Sequence, residues 1–256
     1  MARLRSVPEI VASQGDLVVE RDPARPSGRL LRQGEMEASY VDLADPTHLE
    51  FDYMRWLRIV LRAARARRIL HIGGAACALA RALAAELPGG RQEVCELDAT
   101  VLEVARAHMG LRRAPGLRVR RADGRAFLAT QPAGRWDAIV VDAFIGARIP
   151  RRLITAEALG DAARVAPLTL VNVVDDRAAG VERAVAAGLA TAYPRVWALG
   201  ARMGNRIVAG QRTSLGLDRI AAEAAGDPSP ARLTGPLSMT RLIDGLPARR
   251  DDEDED

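Results

Sequence analysis

Lysine is absent from the sequence, and aromatic residues and cysteine are scarce. All 37 basic residues are arginine, aromatic residues make up 4%, and the cysteines are Cys77 and Cys95 alone. Neither cysteine has a histidine at ligand spacing, so the pair indicates neither a disulfide framework nor a zinc site. No stretch approaches the ~20 consecutive apolar residues of a membrane span, and the start has no long apolar targeting segment. We therefore expect a soluble, cytoplasmic protein with no membrane partner and no bound metal.

The charge is divided unevenly along the chain. The formal charge is +4, but the last six residues, DDEDED, are all acidic, so residues 1–250 carry 37 arginines against 27 acids, or +10. Arginine is concentrated in residues 62–68, 112–121 and 148–152, without the interleaved aromatic residues that single-strand binding favours. These clusters are typical of solvated faces, so we do not expect nucleic acid as a partner. Contact with phosphate or acidic lipid is the alternative.

Patterning divides the chain into three segments. Residues 1–48 contain the strand-like pieces DLVVE and GRLLRQ around a turn-rich linker, which predicts a small N-terminal β appendage. Apolar residues at helical spacing from Leu49 to Leu61 predict an amphipathic helix, with which a Rossmann-like domain over residues 49–212 begins. Residues 213–256 are predicted to be a C-terminal extension, peripherally helical or weakly ordered, with a disordered acidic tail.

Short apolar runs alternate with helical patterns after Arg68, which is typical of βαβ units around a parallel sheet. The last two strand-like runs, RVWALG and NRIVAG, are joined by ARMG, which is too short for a crossover helix, so these strands should be antiparallel. Six parallel strands with one antiparallel strand form the pattern of class I S-adenosylmethionine-dependent transferases. The predicted fold is therefore α/β, methyltransferase-like, with a seven-stranded sheet.

Glycine and acidic residues stand just after four predicted strands. In an open α/β sheet, ligands bind outside the carboxyl ends of the strands, near the point where strand order reverses. These positions make up the candidate site, with Gly73, Gly74, Glu96, Asp98, Asp123 and Gly124 as cofactor-binding residues and Asp142 as the catalytic residue.

The residue types at these positions suit a nucleoside. Glycine lets the backbone approach a ligand where a Cβ atom would collide. Glu96 follows Gly74 by 22 positions, close to the ~20 expected for a carboxylate that accepts both ribose hydroxyls, and Asp123 can accept from an adenine amino group. Ordinary turns are the alternative explanation for the glycines. His71, His108, Trp56 and Trp136 are interpreted as packing residues.

These positions resemble the spermidine synthase (polyamine aminopropyltransferase) family, particularly its divergent bacterial branch. The matching stretches are ILHIGG, VCELDATVLEVARAHMGL, LRVRRADGRAFL and WDAIVVDAFIGARIPRRLITAEAL. The resemblance covers residues 15–212 and implies a transferase, commonly a homodimer, that uses decarboxylated S-adenosylmethionine or S-adenosylmethionine as co-substrate. By motif position it implies that Glu96 holds the ribose, Asp123 holds the adenine amino group, and Asp142 is the first acid of the catalytic loop.

The sequence departs from the family pattern at three positions. Ala76 stands where an acid usually holds the aminopropyl ammonium group, Ile145 replaces the second acid of the catalytic loop, and Ala38 replaces a glutamine. Aminopropyl transfer needs a neutral amine, and general-base help is worth ~10²- to 10⁴-fold in rate. Asp142 would have to supply that help alone. The arginines of GARIPRR are expected to add positive charge that repels a cationic substrate.

Three functions remain open from the sequence. The first is a spermidine synthase-like transferase in polyamine biosynthesis, acting on a small-molecule substrate. The second is methyl transfer from S-adenosylmethionine to a small or acidic acceptor, for which positioning can supply much of the acceleration without a dedicated base. The third is a catalytically silent binding or scaffold protein, which would explain the missing acids and give the acidic tail an interaction role.

Overall fold

A four-stranded antiparallel sheet forms the N-terminal part of the computed structural model, which describes residues 8–146, 148–175, 180–201 and 203–252. The strands follow one another as a meander: β1 (Glu9–Gln14), β2 (Leu17–Arg21), β3 (Gly28–Gln33) and β4 (Met36–Asp42). The sequence predicted β2 and β3 but not β1 and β4. Four of the six residues of β1 are exposed and the other two are half-buried, so the strand has no alternation in burial and carries a weak sequence signal.

The large sheet has the predicted class I methyltransferase-like topology. Its strands are β5 (Arg68–Ile72), β6 (Arg91–Glu96), β7 (Leu117–Arg121), β8 (Ala138–Val141), β9 (Leu168–Asp175), β10 (Arg195–Gly200), β11 (Gly204–Gln211) and β12 (Arg232–Thr234). They lie in the order β12-β10-β11-β9-β8-β5-β6-β7. The seven expected strands are present, with β11 antiparallel to both neighbours, and the short β12 adds an eighth at one edge.

Helices cover both faces of the large sheet. They are α1 (Asp52–Ala63), α2 (Ala78–Glu86), α3 (Ala99–His108), α4 (Gly124–Ala129), α5 (Ala156–Val165), α6 (Val181–Ala190), α7 (Leu217–Ala225) and α8 (Pro236–Leu242). One hydrophobic cluster packs α1, α2, α3 and α7, and a second packs α4, α5, α6 and α8. None of the described helices combines the length and the apolar character needed to cross a membrane.

The residues interpreted as packing residues are mostly in the core. Trp56 and Trp136 are fully or almost fully buried. His71 is buried in β5 with its Nε2 atom 3.0 Å from Oε1 of Gln92, and burial lowers its pKa to about 4. His108 is the last residue of α3 and is half-buried. The core therefore explains these side chains without a ligand.

The C-terminal segment contributes to the core as well as to the surface. Ile220 and Ala224 of α7 and Met239 of α8 are fully buried, and β12 pairs with β10. From residue 253 onward, the predicted acidic tail lies outside the described residues. The first part of the helix predicted from residue 178 lies outside them too. The described helix α6 begins at Val181.

Strand order reverses between β5 and β8, which are parallel neighbours in the middle of the large sheet. Strand β6 lies on the other side of β5, and β9 lies on the other side of β8. The carboxyl ends of these four strands therefore meet at the switch point, where α/β sheets bind ligands.

Candidate functional site

A cavity of about 1100 Å³ opens at this switch point. Residues after β5, β6, β7 and β8, with residues of the end of β9, form one side, and residues of the N-terminal sheet and the start of α1 form the other. All seven residues proposed from the sequence line it: Gly73, Gly74, Glu96, Asp98, Asp123, Gly124 and Asp142. The structure thus brings together residues that are up to 69 positions apart.

The turn after β5 has an unusual backbone. Gly73 and Gly74 have φ values of +79° and +151°, and Ala75 and Cys77 have positive φ values of 44° and 61°. A non-glycine residue in this left-handed region costs roughly 1–2 kcal/mol. Such strain is concentrated at functional sites in many proteins, where the surrounding structure holds it. Here the strain lies in the turn that faces the cavity.

Two of the predicted cofactor-binding glycines are required by packing. A Cβ atom on Gly73 would lie 2.3 Å from the carbonyl oxygen of Asp142, so this glycine lets β5 approach the end of β8. A Cβ atom on Gly124 would lie 2.3 Å from Cγ2 of Ile72, so this glycine seats α4 against β5. Both residues are therefore needed for the shape of the site, whether or not a ligand is bound.

Glu96 connects the ends of the first two core strands. Its Oε2 atom accepts a hydrogen bond of 3.0 Å from the backbone N–H of Ala75, and its Oε1 atom accepts one of 3.0 Å from Asp98. These two bonds fix the orientation of the carboxylate at the cavity wall. Each carboxylate oxygen has a second lone pair, so the group can still accept hydrogen bonds from a diol.

Asp98 and Asp123 both act as helix caps. Oδ1 of Asp98 accepts hydrogen bonds from the backbone of Thr100 and Val101 at the start of α3. Oδ1 of Asp123 does the same for Arg125 and Ala126 at the start of α4. Each acid satisfies backbone donors that a helix start otherwise leaves unpaired, so both have a structural role besides the predicted one.

Arg152 pairs with the other oxygen of Asp123. Its guanidinium Nη1 donates to Oδ2 of Asp123 at 2.5 Å, and both side chains are partly exposed. Burial by itself raises the pKa of Asp123, but the hydrogen bonds from Arg152 and from the backbone outweigh it and hold the pKa below the ordinary value. The carboxylate is thus ionised, and it already accepts hydrogen bonds from the start of α4 and from Arg152.

Asp142 is held by two side chains that the sequence did not indicate. The Asn172 amide donates to Oδ1 at 2.9 Å, and the Tyr53 hydroxyl donates to Oδ2 at 3.2 Å. Burial raises the pKa of Asp142 above the ordinary value, and the charge of Glu96 adds to this effect, while the two hydrogen bonds oppose it. Asp142 is therefore an oriented carboxylate with an increased affinity for a proton.

Asn172 also presents an unused acceptor. It is 1% exposed, lines the cavity, and its Oδ1 atom has no hydrogen-bond partner in the described part of the chain. Buried polar atoms are nearly always paired, so a free acceptor beside a cavity indicates a place for a ligand donor. The only sequence signal for Asn172 is its polar side chain inside the apolar run LTLVNVV.

The cavity is strongly acidic, contrary to the expectation that arginines would make its surroundings positive. Of Arg148, Arg151 and Arg152, only Arg152 lines the cavity, and it is paired with Asp123. Eight carboxylates line the described part of the cavity: Asp16, Glu37, Glu50, Asp52, Glu96, Asp98, Asp123 and Asp142. The first four come from the N-terminal sheet and the entry to α1, so this side of the site was missed by the sequence.

The three departures from the family pattern occupy different environments. Ala38 lines the cavity from β4. Ile145 also lines it, and its side chain is 73% exposed, which is unusual for a large apolar residue. Ala76 is fully buried in the core, and its neighbour Ala75 lines the cavity instead. The position of the second loop acid is therefore an apolar surface within the site.

Cys77 and Cys95 are both free and buried. Burial raises the pKa of each thiol to about 12, so both are uncharged near neutral pH. In the described residues, no group of three or more histidine, cysteine, aspartate or glutamate side chains could hold a metal ion.

Comparison with solved structures gives clear similarities, although no family model and no curated protein matches the sequence. A probable spermidine synthase from Corynebacterium glutamicum is 28% identical with a TM-score of 0.86, over 97% of this chain and 98% of that one. A spermidine synthase in complex with the transition state analogue AdoDATO is 14% identical with a TM-score of 0.63, over 93% and 85%. Human methyltransferase-like protein 13 in complex with SAH is 19% identical with a TM-score of 0.55, over 78% and 94%. The latter two similarities establish the fold alone.

Proposed function

Since the chain is a spermidine synthase-like protein with a class I methyltransferase-like fold, we propose that it is a transferase that binds decarboxylated S-adenosylmethionine and transfers its aminopropyl group to an amine. The observation that carries this proposal is the charge of the cavity, whose described lining contains eight carboxylates and one arginine. Both proposed substrates are cationic, and neither carries a carboxylate.

The same charge argues for the decarboxylated co-substrate over S-adenosylmethionine itself. S-adenosylmethionine carries a carboxylate, which needs a positive or hydrogen-bonding partner when it leaves water. The cation in the described lining is Arg152, and it is paired with Asp123. An extra carboxylate next to Asp142 would face like charge, which is unfavourable by several kcal/mol at close range when ~20 is taken as the effective dielectric constant.

The nucleoside end of the proposed site uses the acids after β6 and β7. Glu96 would accept both ribose hydroxyls, because it has two fixed oxygens with free lone pairs. Asp123 would accept the adenine amino group with the lone pairs that its cap and Arg152 leave free. Gly73, Gly74 and Gly124 would give the ligand room, and Asp98 would remain mainly a helix cap that borders the ribose.

The reaction end of the proposed site is built around Asp142. The amine nitrogen would attack the propyl carbon attached to sulfur, so that a C–N bond forms and the C–S bond breaks. The electron pair of the broken bond goes to sulfur, which leaves methylthioadenosine as a neutral thioether. The nitrogen then carries an extra proton, which Asp142 would accept. Its raised pKa brings it closer to the value that suits a general base.

Tyr53 and Asn172 would position this exchange. Both donate to Asp142, so its remaining lone pairs are directed into the cavity. The free Oδ1 atom of Asn172 would accept an N–H of the attacking amine and orient the nitrogen lone pair. Asp16, Glu37, Glu50 and Asp52 would attract a second ammonium group of the acceptor. A diamine or polyamine is therefore the expected acceptor class.

Calorimetric titration tests the proposal. Decarboxylated S-adenosylmethionine and methylthioadenosine should both bind, and S-adenosylmethionine should bind at least about tenfold more weakly than the decarboxylated form, which is 1.4 kcal/mol. Release of methylthioadenosine in the presence of a diamine should then follow. Preference for S-adenosylmethionine would favour methyl transfer instead, and failure of all three compounds to bind would favour a scaffold protein.

A further inference from the structure

The last described residues of the chain pack against the beginning of α5. We call residues 249–252 the C-terminal strap. The carbonyl of Arg249 accepts a hydrogen bond of 2.8 Å from the N–H of Ala156. The Thr155 hydroxyl donates to Oδ1 of Asp251 at 2.6 Å, and the Asp251 N–H donates to Glu157 at 3.1 Å. The strap therefore satisfies polar groups in the first turn of a helix.

The bond between Thr155 and Asp251 joins a buried group to an exposed one. Thr155 is 1% exposed and caps α5 by accepting from the N–H of Ala158, which leaves its hydroxyl proton free to donate. The Asp251 carboxylate accepts a hydrogen bond from that hydroxyl. Removal of one partner from a buried hydrogen bond leaves the other unsatisfied, which costs more than the bond itself contributes.

Asp251 also reaches α4. Nη2 of Arg125 lies 3.4 Å from Oδ2 of Asp251, while Nη1 of Arg125 pairs with Asp161 of α5 at 2.6 Å. Arg125 is two positions after Asp123, and Thr155 is three positions after Arg152. One side chain of the strap thus contacts both segments that carry the Asp123–Arg152 ion pair.

We propose that the C-terminal strap holds the adenine side of the cavity in shape, with Asp251 as the positioning residue. Pro150, Arg152 and Leu153 line the cavity from the segment between β8 and α5, and that segment ends at Thr155. Asp251 ties this end to the start of α4, where Asp123 is fixed. Loss of the tie lets the segment move away from Asp123 and weakens the wall against which a nucleoside binds.

The experiment compares two substitutions in the full chain. Asp251→Asn removes the carboxylate that contacts Thr155 and Arg125. Asp252→Asn is the matched control. It makes the same change of charge one position later, at a residue with no hydrogen bond or ion pair to the described residues. The first measurement is amide hydrogen exchange of residues 148–158 in the ligand-free protein. The second is the affinity for methylthioadenosine.

Asp251→Asn should raise amide exchange in this segment about tenfold and weaken methylthioadenosine binding three- to tenfold, as expected for loss of one charged hydrogen bond. Asp252→Asn should change neither the amide exchange nor the affinity. In Asp251→Glu, which keeps the carboxylate, the amides of residues 148–158 should exchange more slowly than in Asp251→Asn. Equal exchange in Asp251→Asn and Asp252→Asn, whether raised or unchanged, would overturn the proposal.

The affinity measurement rests on the proposed function, whereas the exchange measurement does not. If the unaltered protein binds no adenosyl compound, the proposed function fails, and the exchange result still decides the role of the strap. If the unaltered protein binds methylthioadenosine and Asp251→Asn binds it equally well, the strap proposal fails while the nucleoside site stands.

Discussion

The hydroxyl of Tyr53 and the carboxylate of Asp142 form a hydrogen bond of 3.2 Å although the two residues are 89 positions apart. Tyr53 lies in the first turn of α1, and Asp142 follows β8. The bond joins the helix that enters the domain to the end of a central strand. It also means that Asp142 is oriented before any ligand arrives, which is the condition for a positioned general base.

Asp142→Asn should lower the rate of aminopropyl transfer by ~10²- to 10⁴-fold and make the protein more stable at neutral pH. The pKa of Asp142 is raised by burial in the folded state. The stability linked to this group is therefore fully present below the unfolded pKa and is lost as pH rises through the folded pKa. Asparagine does not titrate in this range, so the variant does not lose this stability as pH rises. Urea unfolding at pH 7 and at pH 4 measures the difference, which should be larger at pH 7.

Asp137→Asn is the matched control for this pH effect. Burial raises the pKa of Asp137, but hydrogen bonds from the Arg68 side chain and from the backbone of Arg67 and Arg68 lower it below the ordinary value. Its contribution to stability is present above the unfolded pKa and is lost as pH falls through the folded one. Asp137→Asn should therefore be destabilising at pH 7. Destabilisation of both variants at pH 7 would contradict the assignment for Asp142.

Glu96→Gln should weaken binding of methylthioadenosine by about 1 to 3 kcal/mol, the usual effect of disturbing a charged hydrogen bond. The carboxylate now accepts hydrogen bonds from the backbone N–H groups of Ala75 and Asp98. The amide of glutamine would place its NH₂ group against one of these two donors. Titration calorimetry measures the change. Glu103→Gln, on the exposed face of α3, carries the same loss of charge and should bind like the unaltered protein. Unchanged affinity in Glu96→Gln would remove the ribose assignment.

Gly73→Ala should be more destabilising than Gly134→Ala. Both glycines have positive φ values, +79° and +65°, so alanine carries a backbone penalty of roughly 1–2 kcal/mol at either position. At Gly134 nothing lies within 4 Å of an added Cβ atom, whereas at Gly73 the carbonyl oxygen of Asp142 lies at 2.3 Å. The extra clash displaces the end of β8, so Gly73→Ala should also lose nucleoside binding. Equal free energies of unfolding in urea would count against this account.

The sequence predicted the large sheet well because its central strands are buried on both faces. Such strands give short apolar runs, as in ILHI and WDAIVVD, between helical patterns. Strand β12 contains three residues, Arg232–Thr234, and pairs only with the edge of the sheet, so no local pattern marks it. The glycine and acidic residues at the strand ends predicted the lining on the sheet side of the cavity for the same topological reason.

The opposite side of the cavity depends on contacts between distant segments. Tyr53 fits the apolar stripe of α1, and its ring is indeed buried, so the role of its hydroxyl has no separate signal. Asp16 and Glu37 lie in or beside strands of the small sheet, where acidic residues are ordinary at the surface. Only the packing of this sheet over the switch point turns them into cavity residues. The strap is equally nonlocal, since Thr155 and Asp251 are 96 positions apart.

Both borders of the large sheet discourage growth by addition of another strand. One border is β12, which offers only three residues. The other is β7, LRVRR, where Arg120 is paired with Glu93, and Arg118 and Arg121 would face the same charges on a second copy paired with the strand. Short or charged border strands are a common protection against aggregation. A continuous sheet shared between two molecules is thus disfavoured at either end. Two copies of this chain would then meet through helices, loops or the small sheet.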